Sequence, residues 1–166
     1  MGQIEDSPRR RPRIFNTPFE TGLRSVVILT ACYPERLSLH RLVVLDHLVV
    51  HTGDIDGPPS MHPDNRSRAA EILVRRGLVE SGLALMETRG LVTRTPTSDG
   101  FRFQAGDEAG SFVDLLTTTY SEALKERADW LVDNILPLTE DALQDLVRSR
   151  MDEWEPEFQA DQGQAP

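Results

Sequence analysis

The sequence predicts a mainly α-helical domain, winged helix-turn-helix-like, with a small β-hairpin wing and additional C-terminal helices. Three observations carry this prediction. Apolar residues recur at three- and four-residue spacing through most of the 166 residues. The stretch from Leu83 to Ala105 reads as a helix that stops at Arg89-Gly90, then two short runs, Leu91-Val92-Thr93-Arg94 and Phe101-Arg102-Phe103-Gln104. Between the runs, Pro96-Thr97-Ser98-Asp99-Gly100 holds an Asp-Gly pair, residue types that take the positive φ of a tight hairpin turn.

A hydrophobic content of 39% is enough for one ordinary core. The expected organisation is a disordered basic arm over residues 1–17, a helical body over 18–150 and an acidic flexible tail over 151–166. No apolar run approaches the roughly 18 residues of a membrane span, and no charged-then-apolar leader follows Met1. The single Cys32 excludes an intramolecular disulfide and fits a reducing cytoplasm, with the thiol a small packing residue. A net charge of −9 argues against a protein that coats nucleic acid without specificity.

The charge is unevenly spread. Residues 66–102 hold seven arginines against four acids, a net of +3, whereas residues 103–151 hold four bases against ten acids, a net of −6. The expected turn-helix-wing is thus the basic part of an acidic chain. Its arginines either contact a ligand or stand solvated beside nearby glutamates.

Each element has its own signal. The arm carries Arg9-Arg10-Arg11-Pro12-Arg13, which suits a phosphate backbone, an acidic protein groove or simple solvation. A first helix is expected from about Pro18 to Cys32, with Thr17 as N-cap, Pro18 at the first position and Glu20 completing a capping box. Its apolar face is read as Phe19, Leu23, Val26, Val27 and Thr30, and Tyr33-Pro34-Glu35-Arg36 breaks it.

The second helix, capped by Ser38 and reaching His51, is apolar on nearly every side and should pack between others. Asp46 on that helix must then reach solvent or find an arginine or backbone N–H. Thr52 to Asn65 reads as a folded loop, rich in Gly, Pro and Asp. From Arg66 the helical pattern resumes through Ala69, Ile72, Leu73, Arg76, Val79, Leu83 and Met86. Gly77 and Gly82 leave two readings open, a helix pair turning near Arg76-Gly77 or one helix whose glycines allow close packing. After the wing, one long helix is expected from Asp107 to Leu136, then a short one through Leu143, Leu146 and Val147.

Catalytic apparatus is not visible. There is no Gly-rich phosphate loop, no Gly-x-Ser-x-Gly elbow and no base beside Cys32. His47 and His51, four apart on a helix, could hold zinc only with a third ligand, and no glutamate stands where a metallopeptidase carries its base. The expectation is therefore no enzyme, no cofactor and no metal. The structural alternative is that His51 and His62 hydrogen-bond backbone groups and pin the loop. Candidate contacts to DNA or a partner are Arg75, Arg76, Arg89, Arg94 and Arg102, and Trp154 with Phe158 is a candidate docking pair in the tail. Glu80 and Glu87 among apolar residues make the 78–86 helix better suited to protein than to base edges.

One longer pattern remains. The run from Leu37 to Asp54, containing Leu45-Asp46-His47 and His51-Thr52-Gly53-Asp54, continues through Gly57-Pro58-Pro59-Ser60-Met61-His62-Pro63. With Arg75-Arg76, Gly82-Leu83, Arg89-Gly90-Leu91 and Arg127-Ala128-Asp129-Trp130, it resembles the middle component (type 2) of bacterial ABC-three-component systems over roughly residues 16–135. The resemblance implies a small winged-helix-like subunit encoded between an SMC- or RecF-like ABC ATPase and a variable effector, in antiviral defence systems similar to the Lamassu type. It supplies no catalytic residues, which implies that the matching Asp46, His51, Asp54 and His62 fix the second helix and its loop. The expected function is a non-catalytic adaptor linking that ATPase to the effector, with DNA a partner within the complex. The alternative is a winged-helix DNA-binding transcriptional regulator.

Overall fold

The computed structural model describes the backbone of residues 17–63 and 68–161, and the side chains of residues 17–63 and 74–150. The arm at 1–16, the Asp64 to Ser67 junction, the Ala69, Ile72 and Leu73 side chains and those of Trp154 and Phe158 lie outside it. Among the described residues there are six α-helices and three strands: α1 (Pro18–Cys32), β1 (Leu37–Ser38), α2 (Leu39–Val50), α3 (Arg68–Glu87), β2 (Val92–Thr97), β3 (Gly100–Ala105), α4 (Ala109–Asp114), α5 (Thr119–Asn134) and α6 (Glu140–Asp161). A 3₁₀ turn follows α2 at Thr52–Ile55.

The strands form one antiparallel sheet in the order β1-β3-β2. The hairpin lies where the Asp-Gly signal places it, with strands longer than the apolar runs: Val92 faces Ala105, and Thr97 faces Gly100. Gly100 takes the positive φ of +110°. β1 was not legible, because two residues give no alternation; Leu37 and Ser38 pair with Phe103 and Arg102. Ser38 both ends that strand and caps α2, its hydroxyl accepting from Arg41 N.

α1 keeps its expected bounds and its Thr17 cap, which accepts from Glu20 N. Its buried face differs from the expected one. Phe19 is 53% exposed, while Arg24 is buried along with Val26, Val27, Ile28 and Leu29. α1 packs against α3 and α5, and α2 packs against the same two helices. α3 is one uninterrupted helix, not a pair turning at Arg76-Gly77. Gly82 explains part of the glycine signal: a Cβ there would stand 2.6 Å from Gly22 N and 2.8 Å from Pro18 O. Only two glycines, Gly22 and Gly82, let α1 and α3 approach this closely.

The single helix expected from Asp107 to Leu136 is instead two. Thr118 supplies a new cap, its hydroxyl accepting from Ser121 N at 3.1 Å, and this local bond competes with continued helix through 115–118. α6 is not short: it runs for 22 residues to Asp161. Arg41, on α2, closes the far end of α5 by donating to the Leu136 and Leu138 carbonyls at 2.8 and 2.6 Å and pairing with Glu140 at 3.0 Å. A guanidinium at carbonyls left over from a helix end satisfies acceptors that burial would otherwise strand.

Candidate interaction site

Two regions, both built on α3, hold most of the polar residues that the sequence singled out; Arg89 and Arg102 lie outside them. The first is buried. Asp46, with no exposure, receives Arg24 from α1 and Arg75 from α3: Arg24 Nε lies 2.8 Å from Oδ1, and Arg75 Nη1 lies 2.6 Å from Oδ2. Burial opposes the charge on Asp46, but the two guanidiniums and their hydrogen bonds outweigh it and hold the carboxyl below its ordinary value. Arg24 likewise suffers desolvation, which Asp46 more than offsets, so its pKa is raised. Of the two fates open to Asp46, the arginine partner is the one found.

Arg75 is therefore removed from the candidate DNA or partner contacts. At 3% exposure it is turned inward by the Asp46 carboxylate, and its Nη1 also donates to the Asp46 carbonyl at 3.2 Å.

Three histidines continue this polar interior. The His47 and His51 rings lie 4.6 Å apart, and the His51 and His62 rings 6.2 Å. His62 Nε2 and the Tyr120 hydroxyl are 3.0 Å apart, tying the loop after α2 to α5. Burial first, then the positive charge of Arg24, pushes His62 down to about 4, so the ring is neutral near pH 7. The loop is strapped down at more points: Thr52 donates to Pro58 O at 2.7 Å, the Met61 amide to Val50 O at 2.9 Å, and Arg127 Nη2 to Pro59 O at 2.7 Å. Asp54 sits in the 3₁₀ turn, its amide donating to His51 O, and Arg150 of α6 pairs with Asp56 at 2.8 Å. Trp130 of α5 lies against Gly57. Cys32 is buried, and burial pushes its thiol up to about 11.

The second region is an open groove of about 540 Å³ between the start of α2, the outer face of α3 and the hairpin. Leu39, Leu83, Ala84, Phe101 and Phe103 give it an apolar floor. Of the arginines put forward from sequence, Arg76 and Arg94 reach it. Both sit in loose, half-exposed ion pairs, Arg76 with Glu80 at 3.9 Å and Arg94 with Glu87 at 3.5 Å. Arg94 also stacks its guanidinium 4.4 Å from the Phe101 ring centroid. Arg89 follows α3 on the exposed turn, and Arg102 lies on β3 half-buried. The groove was missed from sequence, since its walls come from three separated segments; the mix of apolar and acidic residues at 80–87 was its only trace.

The fold and these two regions define a class: a mainly helical domain, buttressed by a three-stranded antiparallel sheet, whose core is cross-linked by a buried Arg–Asp–Arg cluster. No helix among the described residues is long and apolar enough to cross a membrane. The chain belongs to the ABC-three component (ABC-3C) system Middle Component 2 family, whose model matches residues 14–157. No curated protein and no solved structure matches it.

Proposed function

We propose that this chain is a non-catalytic adaptor in a defence complex similar to the Lamassu type, joining an SMC- or RecF-like ABC ATPase to an effector component in the cytoplasm. One observation carries the reading. Much of the family-like pattern works on the chain itself: Asp46 and Arg75 in the ion cluster, Thr52 and His62 in the loop, Arg127 and Trp130 as its clasp, while Arg76 and Arg89 stay exposed. A pattern used to hold a body rigid suits a subunit that presents surfaces to others. Those surfaces differ in charge, with an acidic C-terminal part beside arginines on the hairpin, so two unlike partners can be held at once. Co-expression with the neighbouring ATPase tests this. The adaptor co-elutes in gentle salt; a chain that elutes alone speaks against it.

A second reading, a winged-helix DNA-binding regulator, is favoured by the element order. α1-β1-α2-α3-β2-β3 with the sheet order β1-β3-β2 is the arrangement expected of a winged helix. It predicts duplex binding that weakens steeply with salt and with Arg89→Ala or Arg94→Ala. No mobility shift on promoter DNA at low salt removes it.

A further inference from the structure

The α3–hairpin groove is an apolar trough with an acid-weighted rim. Glu80, Glu87 and Asp99 line it against Arg76 and Arg94, and the two ion pairs these arginines make are loose and solvent-screened. Phe101 on its wall stays 50% exposed although the Arg94 guanidinium lies over its ring, which leaves apolar surface open to a ligand. The rim disfavours a phosphate backbone, and a second copy would bring the same acidic rim and a charge of −9. What fits is a segment with apolar anchors beside a run of positive charge.

The chain carries such a segment. Arg9, Arg10, Arg11 and Arg13 precede Ile14 and Phe15, directly before the first helix. The start of that helix lies against the groove-bearing helix: Pro18 O stands 2.8 Å from where a Cβ of Gly82 would be, and Gly82 precedes Leu83 and Ala84 of the groove floor. An extended chain covers about 3.4 Å per residue, so Phe15 through Arg9 reach from about 10 Å to about 30 Å beyond Pro18. A helix with its side chains is about 10–12 Å across, so half its girth is about 16–19 Å: the arginines reach round α3 to its outer face, and Ile14 and Phe15 reach the nearer flank that carries Leu83. Tethering also places the segment at an effective concentration of about a millimolar, so modest contacts suffice.

We infer that the N-terminal arm of the chain occupies its own α3–hairpin groove, with Ile14 and Phe15 on the Leu83 flank of the floor and the arginines against Glu80, Glu87 and Asp99. The arm is then a resident occupant that any partner using this face must displace. The inference stands apart from the adaptor reading, since it concerns the purified chain alone.

The test is thiol labelling of the full chain carrying Ala84→Cys, read site by site by mass spectrometry. The native Cys32 is buried and labels slowly. Gly110→Cys, on α4 with no atom within 4 Å of its Cβ position, is the control. Relative to the native arm, Ile14→Asp/Phe15→Asp raises the labelling rate at position 84 about five-fold, as for a groove filled four-fifths of the time, and leaves position 110 unchanged. Replacing Arg9, Arg10, Arg11 and Arg13 by Glu does the same, and added salt speeds labelling at 84 with the native arm. Circular dichroism checks that each variant keeps its helices. Equal rates at 84 with native and altered arms overturn the inference. So does protection that grows with protein concentration, which would mean a second copy fills the groove.

Discussion

Arg75 and Arg76 are neighbours in sequence and opposites in structure. They lie about 100° apart around α3. That angle sends Arg75 into the interior, 3% exposed and bonded to Asp46, and Arg76 to the groove rim, half-exposed and 3.9 Å from Glu80. The inward face of α3 carries Arg75, Val79, Gly82 and Met86; the outward one carries Val74, Arg76, Glu80 and Ala84. The contrast teaches that the same residue type does different work according to its dielectric surroundings. Inside, an ion pair fixes how three helices meet; outside, it adds little to stability and is free to be exchanged.

Mutations can break this contrast, and the largest effect belongs inside. Asp46→Ala leaves two buried guanidiniums without their shared carboxylate and costs about 3–5 kcal/mol, read as the loss of unfolding free energy in urea. An unchanged midpoint would mean that the cluster is not the bolt between α1, α2 and α3.

The glycines give the next effect. Gly82→Ala drives a Cβ into the α1 backbone and costs about 1–3 kcal/mol. Gly77→Ala, five residues earlier on the same helix and with nothing within 4 Å, should stabilise by up to about 1 kcal/mol through helix propensity. Melting temperatures moving in the same direction for both would refute the close approach at Gly22 and Gly82.

Acid sharpens the inner region further. His62 is depressed from 6.5 to about 4, so between those values the unfolded chain binds the proton and the folded chain does not. Its contribution is present above pH 6.5 and is lost as the pH falls toward 4. The melting temperature should therefore drop through this window, and His62→Gln should flatten the drop; parallel profiles would show that the ring stays solvated. The smallest effect lies on the rim, where Arg76→Ala should change stability by no more than about 0.5 kcal/mol.

Some of this was legible in the chain and some was not, for reasons particular residues make plain. Thr17, Pro18 and Ser38 announce helix starts because caps act over three residues, and each was found where expected. Asp99-Gly100 marked the hairpin for the same local reason. The break before α5 was missed because one cap at Thr118 overrode a helical stripe that continued past it. Arg24 was passed over altogether, since a lone arginine in an apolar helix signals a buried pair only when its partner, 22 residues away, is known to face it.

The sequence by itself determined that this is one mainly helical chain with a hairpin, rich in acid and with a pattern from Leu37 to Trp130 that places it in its family. Those features depend on periodicity, capping and turn chemistry, which act between residues close along the backbone. Only the tertiary structure decided that Asp46 draws two arginines from different helices, that α3 presents one arginine inward and the next outward, and that three segments enclose a groove. Such outcomes depend on which distant groups share a low-dielectric interior, and local spacing carries no record of that.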